Sequence, residues 1–272
     1  MAMPIITLLS DFGLKDPYVA EMKAVILSIY PEARVVDISH EIEKFNIRTG
    51  AFVLASAAPY FLQGTIHVAV VDPGVGTGRR PLVVETGRCF YVGPDNGLLM
   101  LSAQREGICQ VYTISNPRYM LPRVSRTFHG RDIFAPAAAH LARGCSPSEF
   151  GPEVLDYVVP KFARPRLRGD RLLGEVLHID DFGNIISNLS MKDLEKIGIG
   201  EGSLLHVQLK GKALTLKLCS AYGEVPAKTP LAIIGSTDFL EVSMNQGNAS
   251  EAFKAKIGDL IRISLFPFHA EC

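Results

Sequence analysis

Over its first 160 residues the chain alternates short β-branched apolar runs with segments whose apolar residues recur three and four apart. That alternation calls for a parallel sheet with helices packed on its faces. Residues 5–9, 35–38 and 66–71 read as strands. The third, Ile66-His67-Val68-Ala69-Val70-Val71, is dominated by β-branched residues and is stopped by a Pro/Gly cluster. Between the first two, Val19, Met22, Ile26 and Ile29 lie on one helical face that Pro31 ends. Residues 49–58, 97–104 and 133–142 read as further helices, and 82–85 with 89–92 as a hairpin. The expectation is an α/β domain of Rossmann-like type with a largely parallel sheet.

Composition changes at Pro160-Lys161-Phe162-Ala163-Arg164-Pro165-Arg166-Leu167-Arg168-Gly169-Asp170, where proline and arginine rule out a helix or a central strand. The expected organisation is therefore an α/β domain over 1–160, a linker over 161–170 and a second domain over 171–272. The last carries short β-like runs at 173–179, 204–209, 214–218, 231–234, 239–242 and 260–265, separated by Gly, Asn and Lys turns. That pattern suits a small barrel or sandwich. A hydrophobic content of 47% supplies ample core for both domains.

Twenty-eight basic residues balance twenty-eight acidic ones, which removes the charge signature of a nucleic-acid binder or a polybasic membrane-surface protein. Small-molecule chemistry is the expected destination. Cys89, Cys109, Cys145, Cys219 and Cys272 are odd in number, scattered and without a C-x-x-C pair, so they read as reduced thiols of a cytoplasmic protein. The opening residues have no basic region and soon meet Asp11, unlike a signal peptide, and no apolar run is long enough to span a bilayer.

Two stretches concentrate reactive side chains at element ends. Asp72 opens Asp72-Pro73-Gly74-Val75-Gly76-Thr77-Gly78-Arg79-Arg80, and His129 lies in Thr127-Phe128-His129-Gly130-Arg131-Asp132. In open α/β sheets ligands bind at the carboxyl ends of strands, which is where Asp72 falls. Glycines let the loop fold back, so a carboxylate-guanidinium pair between Asp72 and Arg79 is sterically reasonable. The glycine run matches neither G-x-G-x-x-G nor a Walker loop. Asp11 ends the first strand within Leu9-Ser10-Asp11-Phe12-Gly13. It suits either a turn or the hydroxyls of a ribose diol, since a carboxylate accepts two hydrogen bonds. His140 and His178 read as satisfied core or boundary residues. A metal site from Asp11, Asp72, His129 and Asp132 would make the protein a phosphoester or nucleotide hydrolase, although no paired-histidine spacing supports it. A nucleoside-binding module without turnover is an alternative of another class.

Taken together, Leu-Leu-Ser-Asp-Phe-Gly at 8–13, Asp-Ile-Ser-His at 37–40, Val-Asp-Pro-Gly-Val-Gly-Thr at 71–77, Gly-Pro-Asp-Asn-Gly at 93–97 and Phe-His-Gly-Arg-Asp at 128–132 resemble the S-adenosylmethionine hydroxide adenosyltransferases. Their relatives are the fluorinases and chlorinases. Asp-Asp-Phe-Gly-Asn at 180–184, the stretch 234–241 and Asn-Gln-Gly-Asn-Ala at 245–249 extend the likeness over essentially the whole chain. The resemblance implies an amino-terminal α/β domain, a carboxy-terminal β-barrel and a homotrimer with active sites between subunits. It also implies hydrolysis of S-adenosylmethionine, as substrate, to adenosine and methionine without a cofactor. It places a water-activating trio on Asp72, Arg79 and His129, a ribose carboxylate on Asp11, and adenine and methionine contacts on Phe45, Asp180, Phe182, Asn184, Ser236, Asn245 and Ala249. Where the halogenating relatives have a tyrosine and a serine or glycine around a halide, this chain has the Asp72 carboxylate and the His129 ring, which suit water and repel an anion. Thr237 and Asp238 stand where relatives often carry an arginine or glycine.

Overall fold

The computed structural model describes residues 4–265, so Cys272 lies outside the described residues. The chain divides between Pro160 and Lys161 into two compact units. In the first, β1 (Ile5–Ser10), α1 (Tyr18–Ile29), β2 (Arg34–Ser39), α2 (Ile47–Ala57) and β3 (Ile66–Val70) follow one another as the alternation predicts. Then come β4 (Pro81–Thr86), β5 (Phe90–Pro94), α3 (Met100–Glu106), β6 (Ile108–Thr113) and α4 (Ala135–Ala142).

The sheet runs β2-β1-β3-β5-β4-β6. Strands β2, β1, β3 and β5 are parallel, but β4 is inserted antiparallel between β5 and β6, so the sheet is mixed and its Rossmann-like character partial. The reason is local: β4 and β5 form the expected hairpin, and a hairpin must reverse direction. All five residues of β3 are buried, as covering both faces of a central strand requires. One face packs Ile6, Leu8, Val68 and Val70 against Met22 and Ile26 of α1 and the alanines of α4. Ala135, Ala137, Ala138 and Ala139 are small enough to bring α4 close to the strands. A π-helical turn, Gly130–Phe134, leads into α4 and replaces the start of the helix expected from 133.

The second unit contains β7 (Arg166–Arg168), β8 (Arg171–Ile179), β9 (Ile185–Ser187), α5 (Met191–Glu195), β10 (Leu204–Leu209), β11 (Lys212–Cys219), β12 (Pro230–Ile234), β13 (Leu240–Met244), α6 (Ala249–Phe253) and β14 (Leu260–Leu265). Pairing proceeds β14-β10-β11-β12-β13-β9-β8 and closes through β14–β8 into a seven-stranded barrel. The stretch expected as a linker carries β7, an outer strand paired with β8 alone. Alternation along β10 and β14 sends Leu205, Val207, Leu209, Ile261 and Ile263 inward, where Leu194 of α5 and Phe253 of α6 join them.

Candidate active site

Strand order reverses at β1: its successor β2 lies on one side and β3 on the other, which opens a crevice at the carboxyl ends of β1 and β3. Asp11 follows β1, and Asp72 stands two residues beyond β3. The 72–79 loop turns back on itself through Val75 N–H to Asp72 O at 3.2 Å and Thr77 Oγ1 to Gly74 O at 2.7 Å. Gly76, with φ +75°, touches the segment before His129, and a Cβ there would lie 2.2 Å from the Arg126 carbonyl oxygen. Only glycine satisfies both conditions.

This loop brings Arg79 onto Asp72 in a two-pronged ion pair. Arg79 Nε donates to Asp72 Oδ1 at 3.1 Å, and Nη2 donates to Oδ2. The side chains are only 7% and 5% exposed. Nη2 also lies 3.0 Å from His129 Nδ1, so the ring accepts there and carries its proton on Nε2. Burial and the Arg79 charge hold the His129 pKa below its usual value, outweighing Asp72, Asp132 and the Ser125 backbone. The imidazole is therefore neutral at pH 7. Arg79 Nη1 is buried with no hydrogen-bond partner among the described residues, which makes it the open donor of the cluster. Behind Asp72, Asn96 Nδ2 donates to the Val71 carbonyl at 2.9 Å, and Arg80 grips the neighbouring Asp95 at 2.9 and 2.7 Å.

The structure thus gathers Asp72, Arg79 and His129. Asp11 Oδ2 accepts the Phe45 N–H at 2.9 Å, and Lys44 Nζ donates to the Asp11 carbonyl. Phe45 has φ +65° and is 68% exposed, an uncommon backbone conformation for an aromatic residue at an open surface. Asp132 is fully buried and turned to Ser125 N–H and Arg131 Nε, each at 2.7 Å, so it closes the loop ahead of His129. Among the described residues no three His, Cys, Asp or Glu side chains converge as metal ligands.

The remaining candidates lie in the second unit. Asp180 organises the β8–β9 turn by accepting Phe182 N–H at 3.0 Å, Asn184 N–H at 2.8 Å and Asn184 Nδ2 at 2.8 Å. That turn leaves Phe182 78% exposed while Asn184 is buried. Gly183 abuts Asn248, whose side chain caps α6. Ser236 lies in the β12–β13 turn, where Asp238 has φ +61°. Asn245 Nδ2 is committed to the Val225 carbonyl at 2.7 Å, and Ala249 is fully buried in the barrel core. Two groups carried no assigned role in the sequence. Glu241 is a buried acid whose pKa is raised by burial and by Asp180, and Tyr222 donates to it at 3.1 Å. His40 is buried beside Ser10 at the end of β1.

Residues 6–151 match the family model for the SAM hydroxide adenosyltransferase N-terminal domain, and residues 174–262 match the C-terminal one. The chain belongs to the SAM hydroxide adenosyltransferase family. Within that family it is 40% identical to an (R)-S-adenosyl-L-methionine hydrolase of Thermus thermophilus, over 94% of this chain and 97% of the relative. Identity to a fluorinase of Nocardia brasiliensis is 28%, over 96% and 97%. An uncharacterized conserved protein of Thermotoga maritima has a solved structure that superposes with a TM-score of 0.82 at 38% identity, covering 95% of this chain and 99% of that one. Among the described residues no helix of this adenosyltransferase-family chain is long and apolar enough to cross a membrane.

Proposed function

We propose that this chain hydrolyses S-adenosyl-L-methionine to adenosine and L-methionine. The observation that carries the reading is the buried Asp72-Arg79-His129 cluster at the carboxyl edge of the sheet, in a chain 40% identical to a named hydrolase. The oxygen of water attacks ribose C5′ in line with sulfur, the C5′–S bond breaks, and its electron pair stays on methionine as a neutral thioether. A sulfonium needs no acid to leave, so the protein's task is the nucleophile. Asp72 takes the proton from water, while Arg79 Nη1, the open buried donor, faces the developing hydroxide. His129, neutral and bonded to Arg79, steadies the guanidinium without adding charge. Asp11 binds the ribose diol. Phe45, Asp180, Phe182, Asn184, Ser236, Asn245 and Ala249 surround adenine and the methionyl group. No cofactor enters this chemistry.

The relatives' name specifies the R configuration at sulfur, and we extend that preference to this chain. The trimer is part of the same reading. It is supported by the division of candidate residues between the two units and by two exposed rings, Phe45 and Phe182, that ask for a covering surface. The cytoplasmic assignment is supported by free thiols at Cys89, Cys109, Cys145 and Cys219.

The deciding experiment incubates the protein with S-adenosyl-L-methionine containing both sulfur epimers in ¹⁸O-water and separates the products. Adenosine and methionine form in equal amounts, with label in the adenosine 5′-hydroxyl alone. Recovery of intact substrate after prolonged incubation with excess protein would leave a binding module instead. Mixing inactive Asp72→Asn and Asn184→Ala subunits tests the shared site. Exchange of subunits restores activity if each site draws on two chains, and restores none otherwise.

A further inference from the structure

Asp-Ile-Ser-His at 37–40 enters none of the steps above, yet its histidine is almost completely buried, with a side-chain exposure of 2%. His40 Nδ1 lies 2.7 Å from Ser10 Oγ, the residue next to Asp11. Ser10 Oγ in turn accepts the Phe12 N–H at 3.3 Å. On the far side of the ring, Nε2 approaches Asp37 Oδ1 to 3.1 Å, as an ion-pair approach rather than a linear hydrogen bond. Asp37 Oδ2 accepts from Lys23 Nζ at 2.6 Å. Burial works against ionisation of Asp37, but Lys23 and His40 more than offset it and hold its pKa below the usual carboxylate range.

These contacts fix every proton. The Asp37 charge favours the N–H at Nε2, which leaves Nδ1 as the acceptor for the Ser10 hydroxyl, and the Ser10 oxygen keeps a lone pair for Phe12 N–H. Serine, histidine and aspartate in a row suggest a nucleophile, but Ser10 is 1% exposed and its oxygen is engaged from both sides. The chain works on the backbone. It ties both residues flanking Asp11 to the end of β2, where Gly13 N–H also donates to the His40 carbonyl at 2.8 Å.

We propose that His40, acting through Ser10, is a positioning residue that holds Asp11 at the angle required by the ribose diol. The inference rests on the hydrolase reading and on Asp11 as the diol carboxylate. It makes His40 and Ser10 determinants of ribose specificity that never touch substrate.

The test measures kcat/KM for S-adenosyl-L-methionine and for its 2′-deoxy analogue. Three variants are compared with the wild type, and thermal melting confirms the fold of each. An asparagine amide oxygen reaches the place of the histidine Nδ1, whereas a glutamine amide reaches the place of Nε2. His40→Asn therefore keeps the tie to Ser10 and gives up Asp37, and His40→Gln does the reverse. Ser10→Ala removes a single hydroxyl and leaves the ring in place.

The wild type favours the natural substrate by about ten- to a hundredfold, the worth of a hydrogen bond to a charged group. His40→Gln and Ser10→Ala shrink that ratio to about threefold or less, mainly through KM, while His40→Asn stays within about twofold of wild type. Equal loss in the asparagine and glutamine variants, or an unchanged ratio in folded Ser10→Ala, overturns the positioning role. A wild type that releases adenosine without discriminating the 2′-hydroxyl overturns the diol assignment of Asp11, and this inference with it. A wild type that releases no adenosine overturns the hydrolase reading itself.

Discussion

Replacing Asp72 by asparagine removes the proposed base and alters volume hardly at all. In the native pair both carboxylate oxygens face Arg79 donors. Asparagine offers one oxygen and turns an NH₂ against the other donor, leaving a guanidinium that is 7% exposed without its counter-charge. Breaking a buried pair from one side costs about 3–5 kcal/mol. The surface-edge position of the loop argues for the lower end, about 3 kcal/mol, which is about 6–12 °C in Tm at about 2–4 °C per kcal/mol. A domain with even about 5 kcal/mol of stability keeps about 2 kcal/mol, so the variant stays overwhelmingly folded at 25 °C. Unfolding therefore cannot mimic the chemical effect, a loss of about a hundred- to ten-thousandfold in kcat. The assay is adenosine release at saturating substrate, with adenosine affinity measured by calorimetry on the same preparation. Turnover within about tenfold of wild type refutes the base role. Adenosine affinity lost in step with activity also refutes it, because the pocket and not the proton transfer would then have failed.

Gly76→Ala places a methyl 2.2 Å from the Arg126 carbonyl at φ +75°, so the loop must move and carry Arg79 away from His129; kcat/KM should fall about a hundredfold, as for a misplacement of about 1 Å, and a crystal structure with the Arg79-His129 contact intact alongside full activity contradicts this. His67 is wholly buried, bonded to Thr7 and stacked on Tyr91, and burial and Arg88 lower its pKa from 6.5 to about 4. Above pH 6.5 neither state is protonated there; between 6.5 and about 4 the unfolded chain takes a proton the native ring refuses, so stability falls with pH by about 3 kcal/mol and then levels off. Denaturant melts from pH 7 to 4 should show that loss, smaller in His67→Gln; identical slopes count against it. His129 titrates below 6.5, so kcat/KM should remain level from neutrality down to that pH, and an ascending limb centred above 6.5 that vanishes in His129→Asn contradicts a neutral ring. Turnover should survive dialysis against a chelator, and loss restored by a divalent cation would favour a metal-assisted route.

Elements with strong periodicity were mostly legible in the sequence; β6, α5 and α6 were not read, and the shortest or most exposed of the missed pieces show why. Strand β9 has three residues, too few for a period to register, and it is held by pairing with β8 and β13. Strand β7 is exposed at all three positions, so it needs no apolar alternation and hides in a proline- and arginine-rich stretch. The π-helical turn before α4 spans five residues, little more than one turn, so no apolar period can repeat within it. The antiparallel insertion of β4 was half visible: the hairpin could be read from spacing, but which neighbour its outer edge would take depends on β6, more than twenty residues away. Local pattern defines elements, whereas pairing partners are chosen by burial across the whole sheet.

The candidate site divides along the same line. Asp11 and Asp72 could be located because each is an early polar residue beyond a buried strand, and adjacent parallel strands deliver such residues to one edge. Arg79 followed from the glycine loop, since seven residues with a turn bring a guanidinium back to its carboxylate. His129 was joined to them only through the family resemblance and not through residue pattern, because fifty residues separate it from Arg79 and the join is made by Gly76 lying against Arg126. His40 was quoted as part of a motif without a task for a similar reason. Its partner Ser10 is thirty residues away, and the pairing exists only because β1 and β2 run side by side. A side chain that acts on substrate leaves a trace in residue type and position at an element end. One that acts through another residue leaves its trace in the register between strands, so buried polar groups paired across neighbouring strand ends are where unassigned roles in this fold are to be sought.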